Sequence, residues 1–160
     1  MNHEKETYLT FLLGPDIFAV NVNNVLEVME QQQITRVPKA PDHILGIINF
    51  RGEILPVMNS HQRFKLVAGD DMTTCILIIY VIGTGEQQYK ISATSDGVKD
   101  VIDIDTEEIK PVPEMGLAYD NRFIAGAVKR DGKFILIINP EKVLSVNETE
   151  YTKQPETYAY

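Results

Sequence analysis

Short apolar runs, punctuated by Gly, Pro, Asn and Asp, divide this chain into segments of strand length. One such pattern occurs twice. Gly46 to Phe64 reads GIINFRGEILPVMNSHQRF, and Gly126 to Leu144 reads GAVKRDGKFILIINPEKVL. In each copy a glycine is followed six residues later by a second glycine, and an asparagine comes seven residues after that: Gly46, Gly52, Asn59 and Gly126, Gly132, Asn139. Between the second glycine and the asparagine lie Ile54, Leu55, Val57 and Met58 in one copy, and Phe134 to Ile138 in the other. Each copy reads as strand, tight turn, strand and short helical end. Two repeats are too few for a solenoid, which needs about three units to bury a continuous core. An internal duplication that builds two similar small barrels, packed together, fits the pattern.

Other elements follow from local chemistry. Tyr8 to Leu13 is a strand closed by Gly14-Pro15-Asp16, and Ile17 to Val22 alternates apolar and small or polar residues, which predicts a hairpin with a half-buried second strand. Val25 to Met29 fits either a helical turn or a short strand. Pro38 and Pro41 interrupt regular structure, and Asp42 is placed to cap a turn leading to Gly46. Leu45 to Phe50 and Glu53 to Val57 pair across Arg51-Gly52, with Gly46 and Gly52 as hairpin glycines and Pro56 implying an edge strand or a bulge. His61 to Leu66 reads as a helical end, and Val67 to Thr74 as the loop between halves.

The second half opens on Cys75 to Ile82, a continuously apolar strand, turns at Gly83 to Glu86, and returns along Gln88 to Ala93. Val98 to Ile104 stands where Val25 to Met29 stands in the first half, and Val112-Pro113 echoes Val37-Pro38. Ile124 to Arg130 and Lys133 to Ile138 pair across Asp131-Gly132, a dipeptide suited to a type I′ turn. Pro140 to Leu144 reads as a short helix behind an Asn139 cap, and residues beyond Asn147 as a mobile polar tail. Alternation and run composition assign Ile47, Phe50, Leu55, Val57, Ile78, Val81, Ile91, Ile124, Ile135 and Ile137 to the core.

Composition narrows the function classes. At 160 residues, 44% hydrophobic and 24% charged, the chain is long enough and apolar enough to bury a core without staples. A formal charge of −8, with no basic cluster longer than Lys129-Arg130, argues against nucleic acid and against an anionic membrane surface. The polar MNHEKETYLT start has no signal-peptide core, and the longest apolar run is eight residues, so neither export nor membrane insertion is expected. The single Cys75 excludes an intrachain disulfide and suits a reducing compartment.

Catalytic patterns are missing. His3, His43 and His61 share no metal-ligand spacing with each other or with Cys75, and His43 and His61 read as surface loop residues. Gly83-Thr84-Gly85 runs from strand to strand, so it is a turn and not a phosphate cradle. Ser92, Thr94, Ser95 and Asp96 lack a nucleophile elbow, and Asp70-Asp71 and Asp103-Asp105 read as solvated loop carboxylates. No enzyme activity, cofactor or metal is therefore expected.

Taken together, YLTFLLGPDIFAVNVNNVLEVMEQQQITRVPKAPDHILGIINFRGEILPV in the first half and DGVKDVIDIDTEEIKPVPE and INPEKVL in the second resemble the CheW family, the adaptors of bacterial chemosensory arrays. The resemblance spans about residues 7–146, leaving 147–160 as a tail. It implies a mainly β fold of two intertwined five-stranded barrels of the Src-homology-3-like kind, approximately 7–66 and 75–146, related by a pseudo-twofold. It further implies a cytoplasmic, non-catalytic protein that couples chemoreceptor signalling tips to the regulatory domain of the histidine kinase CheA. Partner-binding residues carried over are Val25, Glu27, Gly46, Asn49, Arg51 and Gly52. Two departures stand out: Asn59-Ser60-His61 where the family usually has Asp-Leu-Arg, and Thr94-Ser95 in an expected apolar strand. An adaptor of a non-flagellar chemosensory-type pathway and, in a different class, a small ligand-binding or hydrolytic barrel are the alternatives.

Overall fold

The computed structural model describes residues 4–30, 33–64, 76–112 and 121–145. The expected loop at Val67 to Thr74, Cys75, Pro113 and the tail beyond Asn147 lie outside the described residues. Ten strands carry the fold: β1 (Lys5–Leu13), β2 (Asp16–Asn21), β3 (Val25–Glu30), β4 (Ile44–Phe50), β5 (Glu53–Met58), β6 (Ile76–Ile82), β7 (Tyr89–Ser95), β8 (Gly97–Asp105), β9 (Ile124–Arg130) and β10 (Lys133–Ile138). Two one-turn helices, α1 (Ser60–Arg63) and α2 (Pro140–Val143), follow β5 and β10. Their equivalent placement is the duplication made visible.

The two long hairpins use the same turn. Arg51 and Gly52 have φ of 52° and 86°, and Asp131 and Gly132 have 53° and 78°. Two central residues at positive φ give the type I′ geometry, whose twist matches that of the flanking strands. Gly46 has a different role from the turn glycine that the hairpin pattern suggested. It lies within β4, and a Cβ there would sit 2.2 Å from the Thr35 carbonyl oxygen. Thr35 crosses β4 at that point in an isolated bridge to Ile47, and Lys110 crosses β9 in the same way at Ala127, beside Gly126. Both glycines are demanded by close backbone approach.

The strands form two five-stranded sheets, ordered β8-β1-β2-β10-β9 and β3-β6-β7-β5-β4. Replacing each strand by its counterpart five places along the chain turns one order into the other. Both also contain one parallel pair at the same place, β2 with β10 and β7 with β5. The segments 7–66 and 75–146 therefore each supply strands to both sheets. The first lends its β1–β2 hairpin to β8, β9 and β10, and the second lends β6–β7 to β3, β4 and β5. The repeats exchange their leading hairpins.

Three apolar clusters result. Ile17, Ala19, Ile135 and Ile137 pack inside one sheet, and Ile48, Phe50, Leu55, Val57, Leu77 and Ile79 inside the other. A larger seam draws on both sheets, including Phe11, Phe18 and Leu136 from the first and Ile78, Tyr80 and Ile91 from the second. Phe18 anchors it, with its ring centroid 5.9 Å from Phe11 and 5.1 Å from Phe64. Because β2 lies centrally, with Phe18 and Val20 on the seam and Ile17 and Ala19 on the inner cluster, it is buried on both faces instead of the one expected.

Other expectations need correction. Val25 to Met29 is a strand, fixed by antiparallel pairing to β6. Pro56 lies in an interior strand, not at an edge; β7 joins β5 in parallel only at Val57 and Met58, after the proline, so the missing N–H interrupts no ladder there. Ile47 and Val81 are only half-buried, whereas the other eight expected core residues are buried. His61 is buried, not a surface loop residue, and Ser92, Thr94 and Ser95 are buried along β7.

Candidate functional site

β3 and β4 are the two edges of their sheet, yet the sheet curls until they meet. The closing contact is polar: the Arg51 guanidinium, at the hairpin turn beyond β4, donates from Nη2 to Glu27 Oε1 on β3. Arg51 also lies over the Phe50 ring, 4.9 Å from its centroid. Its side chain is 68% exposed, so the pair is a solvated clasp of small energetic weight. Beside it the Asn49 side-chain oxygen accepts the Gly52 N–H at 3.0 Å and holds the turn.

Half-buried Glu27 on β3 thus joins the exposed Asn49, Arg51 and Gly52 in one patch at the hairpin end. Ile54, paired across the hairpin with Asn49, is exposed beside it, whereas Leu26 and Val28 are exposed on the face of β3 opposite to Glu27. Such a mixture of fixed charge and accessible apolar area is suited to a protein surface. Val25 and Gly46 lie apart from it. The β3–β6 register slips between Val25 and Glu27, and Val25 packs half-buried against the seam. Gly46 is buried beneath Thr35. These two shape the support on which the patch stands.

The other sheet closes similarly. Arg130 at the end of β9 donates to Glu108 Oε1 at 2.9 Å and to the Asp103 carbonyl on β8 at 3.0 Å. Hydrogen bonds from Arg130, then from the Asp105 backbone N–H, hold the Glu108 carboxyl below the usual carboxylate range. Spacing alone did not single out this second clasp; the signal was its position in the repeat, close to that of Arg51.

The two departures from the family pattern meet in space. Ser60 N–H donates to Thr94 Oγ1 at 3.0 Å, and His61 Nε2 lies 3.0 Å from Asp96 Oδ2. That carboxylate oxygen also accepts the Gly14 N–H at 2.5 Å, tying α1, the β7–β8 turn and the β1–β2 turn together. Asn59 caps α1 by accepting the Gln62 N–H at 3.2 Å, as an aspartate would. Ser95 Oγ is buried without a hydrogen-bond partner, so no serine hydroxyl is joined to the imidazole. Among the described residues no group of three or more His, Cys, Asp or Glu side chains is placed to hold a metal, and no helix is long and apolar enough to cross a membrane.

Comparison with known proteins agrees with this architecture. The chemotaxis protein CheW of Treponema pallidum is 26% identical over 155 residues, covering 94% of this chain and 88% of its own. Protein FrzA of Myxococcus xanthus is 30% identical over 142 residues, covering 88% of this chain and 86% of its own. The crystal structure of the scaffolding protein TtCheW from Thermoanaerobacter tengcongensis superposes with a TM-score of 0.79 at 31% identity, covering 91% of this chain and 92% of that one. The family model of the CheW-like domain matches residues 7–148, a span that holds both clasps and every strand except the first two residues of β1, and the chain belongs to the CheW-like domain family.

Proposed function

We propose that this chain is a non-catalytic, cytoplasmic adaptor that couples the signalling tips of chemoreceptors to the regulatory domain of the histidine kinase CheA. The observation that carries the reading is the clasp from Glu27 on β3 to the exposed Arg51, beside Asn49 and Gly52 of the β4–β5 turn, in a chain of this family. Relatives named as chemotaxis proteins and a solved relative named as a scaffolding protein support it. A scaffold needs recognition surfaces held on a stiff frame, and the patch combines charge with the accessible apolar side chain of Ile54 on the β4–β5 hairpin.

The test separates binding from folding. An exposed ion pair contributes only about 0–1 kcal/mol to stability, whereas truncating an anchor in an interface costs about 2 kcal/mol or more of binding. Glu27→Lys and Arg51→Glu are expected to melt within a few degrees of wild type. Titrated against a receptor signalling fragment and a CheA regulatory domain, each should bind at least one of the two about tenfold more weakly, or 1.4 kcal/mol. Wild-type affinity of both variants for both partners would reduce the patch to solvated charge and remove the reading's main support.

A further inference from the structure

We propose that His61 makes the hold on the β1–β2 turn sensitive to pH, closed while the imidazole is neutral and released when it is protonated. Each repeat anchors the turn of its leading hairpin from its one-turn helix. In the second, Glu141 of α2 accepts the Gly83 N–H, at the end of β6, directly at 3.2 Å. In the first, His61 stands at the counterpart position, two residues past the helix asparagine, and the turn glycine is Gly14. Here the link has two members: Asp96 Oδ2 accepts the Gly14 N–H, and His61 Nε2 meets the same oxygen. The direct carboxylate of one repeat is replaced in the other by an imidazole that works through a second side chain. That histidine side chain is only 3% exposed.

The hydrogen bonds fix the proton. A carboxylate oxygen only accepts, so Nε2 is the donor, and in the neutral ring Nδ1 then carries no proton. Nδ1 is buried with no hydrogen-bond partner among the described residues. Protonation would place an N–H there, and a buried, charged donor without an acceptor bears the full cost of leaving water. The opposing pull comes from Asp96, whose side chain is 41% exposed, so water weakens it. Other charges on the neighbouring elements are engaged elsewhere. Arg63 of α1 donates to the Val143 carbonyl at 3.0 Å, Lys90 of β7 pairs with Glu53, and Lys99 and Asp100 of β8 pair with each other. Asp16, at the start of β2, makes no ion pair with the ring. The charged ring therefore leaves its site, and Asp96, free to hydrate, loosens from Gly14.

The link joins the two sheets. His61 lies on α1 behind β5 of one sheet, Gly14 follows β1 of the other, and Asp96 connects β7 to β8 between them. Release frees the tip of the β1–β2 hairpin but not its strands, which stay laddered to β8 and β10. The Asp96 N–H likewise keeps its bond to the Leu12 carbonyl at 2.8 Å. The device changes a turn without unfolding a core.

The test follows the Gly14 and Gly83 amide protons of the full chain by nuclear magnetic resonance from about pH 7.5 to about pH 5.5, the interval in which histidines change charge. Expected is a Gly14 proton that lies downfield at the upper end and moves upfield in one step, while Gly83, held with no imidazole in its link, keeps its position. His61→Gln retains a donor for Asp96 but takes up no proton, so its Gly14 resonance should stay downfield throughout. A Gly14 proton that stays put in the wild type, moves together with Gly83, moves further downfield as a tightening ion pair would drive it, or still moves upfield in His61→Gln would overturn the proposal. Should His61→Gln fail to fold, the wild-type profiles of the two glycines decide by themselves. No kinase or receptor enters the measurement, so its outcome is independent of the adaptor reading.

Discussion

Substituting Gly46 by alanine tests the claim that this glycine exists for close backbone approach. The new Cβ would lie 2.2 Å from the Thr35 carbonyl oxygen and 2.8 Å from its carbonyl carbon, both backbone atoms that no rotamer change can move. Ordinary contact requires the Thr35 segment to retreat by about 1 Å, and packing this tight costs about 1–3 kcal/mol to violate. Retreat also strains two hydrogen bonds, Thr35 N–H to Ile47 O at 2.9 Å and Ile47 N–H to Thr35 O at 2.8 Å. At about 0.5–1.5 kcal/mol each, their loss brings the expected destabilisation to roughly 2–6 kcal/mol. For a chain of this size about 2–4 °C accompany each kcal/mol, so Tm should fall by roughly 4–24 °C. Gly52→Ala is the control: φ is 86° but nothing lies within 4 Å, so only backbone strain of about 1–2 kcal/mol applies. Thermal and urea unfolding followed by circular dichroism measure both. If Gly46→Ala melts with wild type but loses partner binding, the packing argument is wrong and Gly46 is a contact residue.

Further expectations follow from burial and charge. Ile91, fully buried in the seam, should cost about 2–5 kcal/mol when cut to alanine, and half-buried Ile47 clearly less; equal losses in urea titrations would contradict the three-cluster core. The Glu108 carboxyl is held low by Arg130, so its contribution is present at neutral pH and fades as pH falls through that lowered value. Arg130→Met should therefore flatten the acid limb of Tm against pH, and an unchanged limb would remove the second clasp's role. Burial pushes the Tyr80 phenol well above its ordinary value, so its contribution to stability is full below the unfolded-state value and is lost as pH rises toward the folded one. In an ultraviolet titration the Tyr80 phenol should ionise only with alkaline unfolding, and Tyr80→Phe should reduce that late step by one phenol.

Much of the local structure was legible in the chain. Repeated Gly, Gly and Asn spacings located both hairpins and both one-turn helices, although only Asn59 caps its helix with a side-chain hydrogen bond; Asn139 makes none, and α2 starts instead on Pro140. Glu27 and Arg51 were found by resemblance, since 24 positions of chain give no hint that two charges meet. Val25 to Met29 stayed open because its apolar spacing suits either period, and only pairing with β6 decides for a strand. His61 read as exposed because its environment is assembled from remote pieces: Asp96 comes from 35 positions away and Gly14 from the other sheet.

By itself, then, the sequence determined that two equivalent β units would form and where their turns lie, for these depend on residues within one hairpin. It left undecided which unit each leading hairpin would complete. Backbone hydrogen bonds do not distinguish β2 beside β10 from β2 beside β5, and the repeats offer similar edges to both hairpins. The tertiary structure settles that choice by exchange, which puts Phe18 and Tyr80 into one shared seam while Ile17 and Ile79 line separate interiors. Burial of both faces of β2 against remote partners is a property of the assembled chain that its alternating pattern did not encode, whereas the continuous apolar run of β6 already marked it as buried on both faces.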